Sequence, residues 1–145
     1  MSIFEPARAP WPDRMLAVLR IVTGLTFFWA GTTKIFGWPP PPMPMPPIEL
    51  LSQLGIGGLM EVVGGILIML GLFTRPVAFL LSGEMAVAYF QFHFPQSFYP
   101  ITNNGVGAVL YCFIFLYFVF SGAGAWSLDG LIARRRGNRA EAGFE

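Results

Sequence analysis

The chain has 145 residues, of which 54% are hydrophobic and 12% charged, with a mean hydropathy of +0.60. So apolar a composition excludes an ordinary soluble domain, and a net charge of +1 gives no reason to expect nucleic acid. The single cysteine, Cys112, excludes an internal disulfide or a Cys-x-x-Cys redox pair.

Residues 1–13 are polar and proline-containing and suit a short cytoplasmic arm. The apolar run that follows, residues 15–36, is too long for a signal peptide and lacks a small-residue cleavage site, so it is the first expected span. Arg20, Thr23, Gly24, Phe27, Gly31 and Lys34 recur every three or four residues and fall on one stripe that should face other helices. Seven prolines in Gly37–Pro47 end that helix in a stiff external connection. Met43 and Met45 lie there without a His or Cys beside them, so a loop resting on the bilayer is expected and no metal site is assigned.

The second expected span, residues 54–73, is organised around Glu61. Gly57, Gly58, Gly64, Gly65, Ile68 and Gly71 share its helical face, and an ionised group exposed to lipid costs roughly 2.5–3.5 kcal/mol on insertion scales, so this face should meet protein. Thr74-Arg75-Pro76 makes a tight turn into a third span, residues 77–94, with Glu84, Ala88 and Gln91 on one face and His93 near its end. A loop without formal charge leads to a fourth span, residues 104–120, whose inner face is expected to carry Asn104, Gly107, Ala108 and Tyr111. Residues 121–145 read as an interfacial tail: Trp126 suits the membrane surface, Ser127 or Asp129 suits the cap of a short helix, and Arg134, Arg135, Arg136 and Arg139 suit anionic lipid.

The expected architecture is therefore all-α, a single membrane domain forming an integral membrane four-helix bundle. Four spans place Arg8, Arg14, Arg75 and the terminal arginines on one side, which the positive-inside rule makes the cytoplasm. Both termini are then cytoplasmic. Counting ~1.5 Å per residue puts Arg20 and Glu84 at a similar depth, roughly 9–11 Å from the cytoplasmic boundary, as a structural ion pair. The same count puts Glu61 roughly 10 Å below the outer boundary, within reach of Lys34 and near the level of His93. Two readings of these groups stay open: buried pairs that fix helix register, or a polar site that exchanges protons or orients a head group. The site candidates are Lys34, Glu61, His93, Asn104 and Tyr111.

Three ordered motifs carry a family resemblance: LRIVTGLTFFWAGTTKIFG, MEVVGGILIMLGLFTRP and NNGVGAVLYCFIFLYFVFSGAGAWSLD. From Leu19 to Asp129 the chain resembles the DoxX family of small four-span bacterial membrane proteins. That resemblance implies relatives such as the DoxD subunit of a thiosulfate:quinone oxidoreductase and the membrane partners of thiol and superoxide detoxification systems. It implies polar positions at Arg20, Lys34, Glu61, Arg75, Asn104 and Asp129, and a quinone as the expected cofactor, with none bound covalently. One departure stands out: the family's Asn-Gly-Gly-Glu at the fourth helix is Asn104-Gly105-Val106-Gly107 here, without the acid. The expected role is the membrane component of a quinone-linked redox system, a possible oxidoreductase subunit that is not expected to be catalytic alone, with the bilayer and partner subunits or further copies of the chain as its contacts. Two alternatives remain: a non-catalytic subunit of a larger membrane complex, and an oligomeric transporter of small solutes.

Overall fold

The computed structural model describes residues 11–142. The first ten residues, with Arg8, lie outside the described residues, as do the last three and the side chain of Arg139. Among the described residues the regular structure is entirely helical: α1 (Trp11–Phe36), α2 (Gln53–Leu70), α3 (Thr74–Ala88) continued by a π-helical turn (Tyr89–His93), α4 (Val106–Ser121) and α5 (Leu128–Ala142). The described part of α1 already includes Trp11, four residues before the apolar run, with Asp13 in its first turn.

Helices α1 and α2 form the tightest antiparallel pair, and glycine is the reason. A Cβ on Gly24 would sit 2.8 Å from the Gly65 carbonyl oxygen, and one on Gly31 would sit 2.7 Å from that of Gly58. Backbones this close exclude any side chain between them. α3 and α4 form a second antiparallel pair, in which Ser82 Oγ donates to the Cys112 carbonyl at 2.9 Å. The two pairs meet through Phe27 of α1, whose ring lies 4.8 Å edge-on from Phe115 of α4, over a core of Ile68, Ala78, Leu81 and Phe118.

The exterior is as apolar as the interior. Phe79, Phe113 and Phe120 are 64%, 64% and 74% exposed, and Val22, Leu59, Val63 and Leu80 also face outward. So continuous an apolar surface would aggregate in water and is compatible with lipid. α1 and α2 are each long and apolar enough to cross a membrane, and α4 is a shorter apolar helix.

One end of the molecule is tied around Arg20. Its guanidinium is fully buried and donates from Nη1 to the carbonyls of Ile68 at 2.7 Å and Met69 at 2.5 Å. Nε reaches the Ala123 carbonyl at 2.7 Å, and Nη2 reaches those of Ala125 at 3.2 Å and Trp126 at 2.9 Å. The planar fork thus closes the carbonyl end of α2 and holds the segment after α4 against it. Gly71, at φ +64°, ends α2 in the left-handed conformation, and a side chain there would meet Arg20 at 2.9 Å.

This corrects the expected Arg20–Glu84 ion pair. Glu84 Oε1 lies beside Gly57, 3.1 Å from where a Cβ would stand, whereas Arg20 holds Met69, roughly 18 Å further along α2 by helical rise. The depth count failed because α1 starts before the turn that begins α3. Arg20 is therefore level with the start of α3, while Glu84 is ten residues into it.

The segment expected to be a surface tail is built into this end. Ala125 donates to the Asp13 carbonyl at 3.2 Å and Asp129 to that of Gly71 at 2.9 Å. Ser127 caps α5, its Oγ accepting from Gly130 at 3.2 Å. Asp129 instead caps α3, accepting from the Phe73 and Thr74 backbone N–H groups at 2.8 and 2.9 Å.

Candidate functional site

At the opposite end, three helices bring charged side chains together. α1 delivers Lys34 in its last turn, α2 delivers Glu61, and α3 delivers Glu84. Lys34 Nζ lies 2.6 Å from Glu61 Oε1, the one ion pair among the described residues; the lysine side chain is 31% exposed and the glutamate 3%. The second oxygen of Glu61 is buried without a hydrogen-bond partner, and so is Oε2 of Glu84. Glu84 stands close enough to feel the charges of both Glu61 and Lys34. One ammonium therefore faces two carboxyl groups, and a single contact links them.

These groups line a cavity of about 260 Å³ between the first half of α2 and the far end of α3. Leu54, Met85, Val87, Ala88 and Phe92 supply an apolar wall, and Gln53 and His93 stand at its edge. The volume lies just below the ~300–1,000 Å³ of pockets for drug-sized ligands, so it suits one ring or head group whose remainder lies outside. The Gln53 side chain donates to that of Gln91, which lies outside the cavity lining.

The π-helical turn sets the position of His93. Its wider winding is closed by the Phe94 N–H donating to the Tyr89 carbonyl at 2.9 Å, a deviation that often accompanies functional sites. His93 Nδ1 lies 2.9 Å from the Asn103 carbonyl oxygen. A carbonyl only accepts, so Nδ1 carries a proton and donates it to Asn103.

Of the residues expected at the site, Lys34, Glu61 and His93 share this cavity, and Asn104 and Tyr111 do not line it. Tyr111 lies deeper, where its hydroxyl donates to Thr26 Oγ1 at 2.8 Å and its ring stacks on Phe115 with centroids 5.9 Å apart. Asn104 is exposed at φ +56°. Its neighbour Asn103 is the buried residue, with Oδ1 accepting from Gly105 at 2.8 Å and Nδ2 donating to the Ser97 carbonyl at 2.7 Å. Asn103 fixes the loop that carries His93's acceptor. The inward asparagine of a consecutive pair has no periodic signal before the helix begins. Glu84 is the member that the expected pairing with Arg20 misplaced; its spacing of four residues from Ala88 and seven from Gln91 sets a helical face and cannot indicate depth.

Helices fit to cross a bilayer, an apolar exterior and charges turned inward define an integral membrane protein. Residues 15–94 match the DoxX family model. A protein of Haemophilus influenzae, described as uncharacterized, is 48% identical over 125 residues, covering 79% of this chain and 87% of the relative. The chain belongs to the DoxX family of membrane proteins. No solved structure matches it.

Proposed function

We propose that the chain crosses the bacterial inner membrane four times, through α1, α2, the rod Thr74–His93 and α4, and serves as the membrane component of a quinone-linked redox system. In this reading both termini are cytoplasmic. Arg14 and Arg134 line one cavity at the Arg20 end, and Arg75 stands at the same end, donating to the Val119 carbonyl at 3.3 Å. Cations gathered at one end suit the cytoplasmic face.

The observation that carries the functional reading is the cavity around Lys34, Glu61 and Glu84. A fully structural cluster satisfies its polar atoms, whereas this one leaves two buried carboxylate oxygens unpartnered beside an apolar wall. Lys34 has N–H groups to offer a ring oxygen, the two glutamates can accept protons or hydrogen bonds, and Phe92 and Met85 can pack against a ring. A bound quinone supplies a two-electron, two-proton acceptor at this place. The electrons come from a soluble partner that oxidises the substrate.

The test is quinone-dependent electron transfer in membrane vesicles that contain the chain and its partners. Glu61→Gln is expected to abolish it while the protein inserts and accumulates at the wild-type level. Wild-type activity in that variant contradicts the reading and leaves the bundle as a non-catalytic subunit of its complex.

A further inference from the structure

A second cavity, of about 810 Å³, lies at the Arg20 end between the start of α1, the end of α2 and α5. Its lining is of two kinds. Met69 and Leu70 of α2 and Leu128 and Leu131 of α5 are apolar, whereas Asp13 and Arg14 of α1 and Arg134 of α5 are charged. Two arginines against one aspartate leave one net positive charge, and no ion pair joins these three among the described residues. The Arg14 guanidinium stands 5.3 Å from the centre of the Trp11 ring, and Trp126 lines the same cavity. Both tryptophans are exposed, and exposed tryptophans suit the level of the lipid head groups. Beyond the cavity the surface is apolar. Val18 and Val22 follow Arg14 on one face of α1, Ile66 precedes Leu70 on one face of α2, and all of these apolar side chains are exposed.

We infer that this cavity binds one phospholipid carrying a single net negative charge, with its phosphodiester between Arg14 and Arg134 and its acyl chains along Val18 and Leu70. A charged recess continued by exposed apolar helix faces matches the division of such a lipid into head group and chains. A guanidinium offers paired N–H donors to phosphate oxygens, and one phosphodiester charge balances the one net charge of the lining. Because α1 holds one side of the head group and α5 the other, the lipid ties these two helices together from the membrane side. Arg20 ties the same end from within, so the lipid also serves the fold. The neighbouring Arg135 and Arg136 do not line the cavity. Of the three consecutive arginines, only Arg134 therefore belongs to the site. The inference is independent of the quinone reading.

The test follows the thermal midpoint of the full-length protein in uncharged detergent during titration with dioctanoyl phosphatidylglycerol, phosphatidylcholine of the same chains, or glycerol 3-phosphate. Phosphatidylglycerol is expected to raise the midpoint with an apparent affinity at least about tenfold tighter than phosphatidylcholine. The double variant Arg14→Gln/Arg134→Gln should abolish that difference. Arg135→Gln/Arg136→Gln removes as much charge from the same end and should leave it intact. Asp13→Asn raises the net charge of the lining and should tighten phosphatidylglycerol binding by about fivefold, a gain that a damaged fold does not give. Equal affinity for the two lipids overturns the inference. So does an equal loss in the two arginine pairs, which shows diffuse attraction to a basic surface, and so does unchanged or weaker binding in Asp13→Asn. Stabilisation by glycerol 3-phosphate at the concentrations where the lipid acts shows a site for a soluble phosphate and overturns the lipid as occupant.

Discussion

The two ends of this bundle treat buried charge in opposite ways. Arg20, at one end, donates to five backbone carbonyls and shares no ion pair among the described residues. Lys34, at the other, meets a single carboxylate oxygen and leaves two more without donors beside a cavity. An arginine whose hydrogen bonds all close on fixed backbone has nothing left to give a ligand, so its role is to hold the fold. A cluster with unmatched acceptors is incomplete on its own terms, and its completion comes from what enters the cavity.

The sharpest way to break this comparison is to remove Arg20. Arg20→Met leaves the carbonyls of Ile68, Met69, Ala123, Ala125 and Trp126 without their donor and should destabilise the protein by about 3–5 kcal/mol, a loss typical of a broken buried charge network. Accumulation in the membrane and the thermal midpoint in detergent would both fall. A smaller effect at the same end is expected of Asp129→Ala, which strips the cap from the Phe73 and Thr74 N–H groups. Its loss should be about 0.5–2 kcal/mol, read from the same midpoint, with quinone-dependent activity per folded molecule unchanged. Were Asp129→Ala to impair activity without lowering stability, the division between a structural and a functional end would have to be redrawn.

The same contrast explains what the amino-acid sequence disclosed. Lys34 and Glu61 could be matched by depth because Gly37 and the prolines mark the end of α1 and the start of α2 is fixed nearby, at Ser52, whose side chain caps Gly55 at 3.1 Å. Arg20 was mismatched with Glu84 because its partners are carbonyl oxygens, which every residue carries and no side-chain pattern reveals. The available clue was the glycine-rich stretch Gly122–Gly124, with both glycines at positive φ, which brings bare backbone to the guanidinium. The helical faces were legible from three-and-four spacing: Thr23, Gly24, Phe27 and Gly31 are all buried. Asn103 and the π-helical turn were not, since one depends on the path of an irregular loop and the other on a single extra residue in a helical turn.

The central claim is that the charged groups at the cavity end serve a ligand and those at the Arg20 end serve the fold. It is tested most directly by thermal denaturation of the double variant Lys34→Met/Glu61→Leu in the same detergent as wild type and Arg20→Met. Replacing both members of a buried ion pair by apolar residues is often neutral or stabilising, so the midpoint should equal or exceed that of the wild type, while Arg20→Met falls well below it. A double variant that loses as much stability as Arg20→Met would show the Lys34–Glu61 pair to be a second structural tie and would contradict the account.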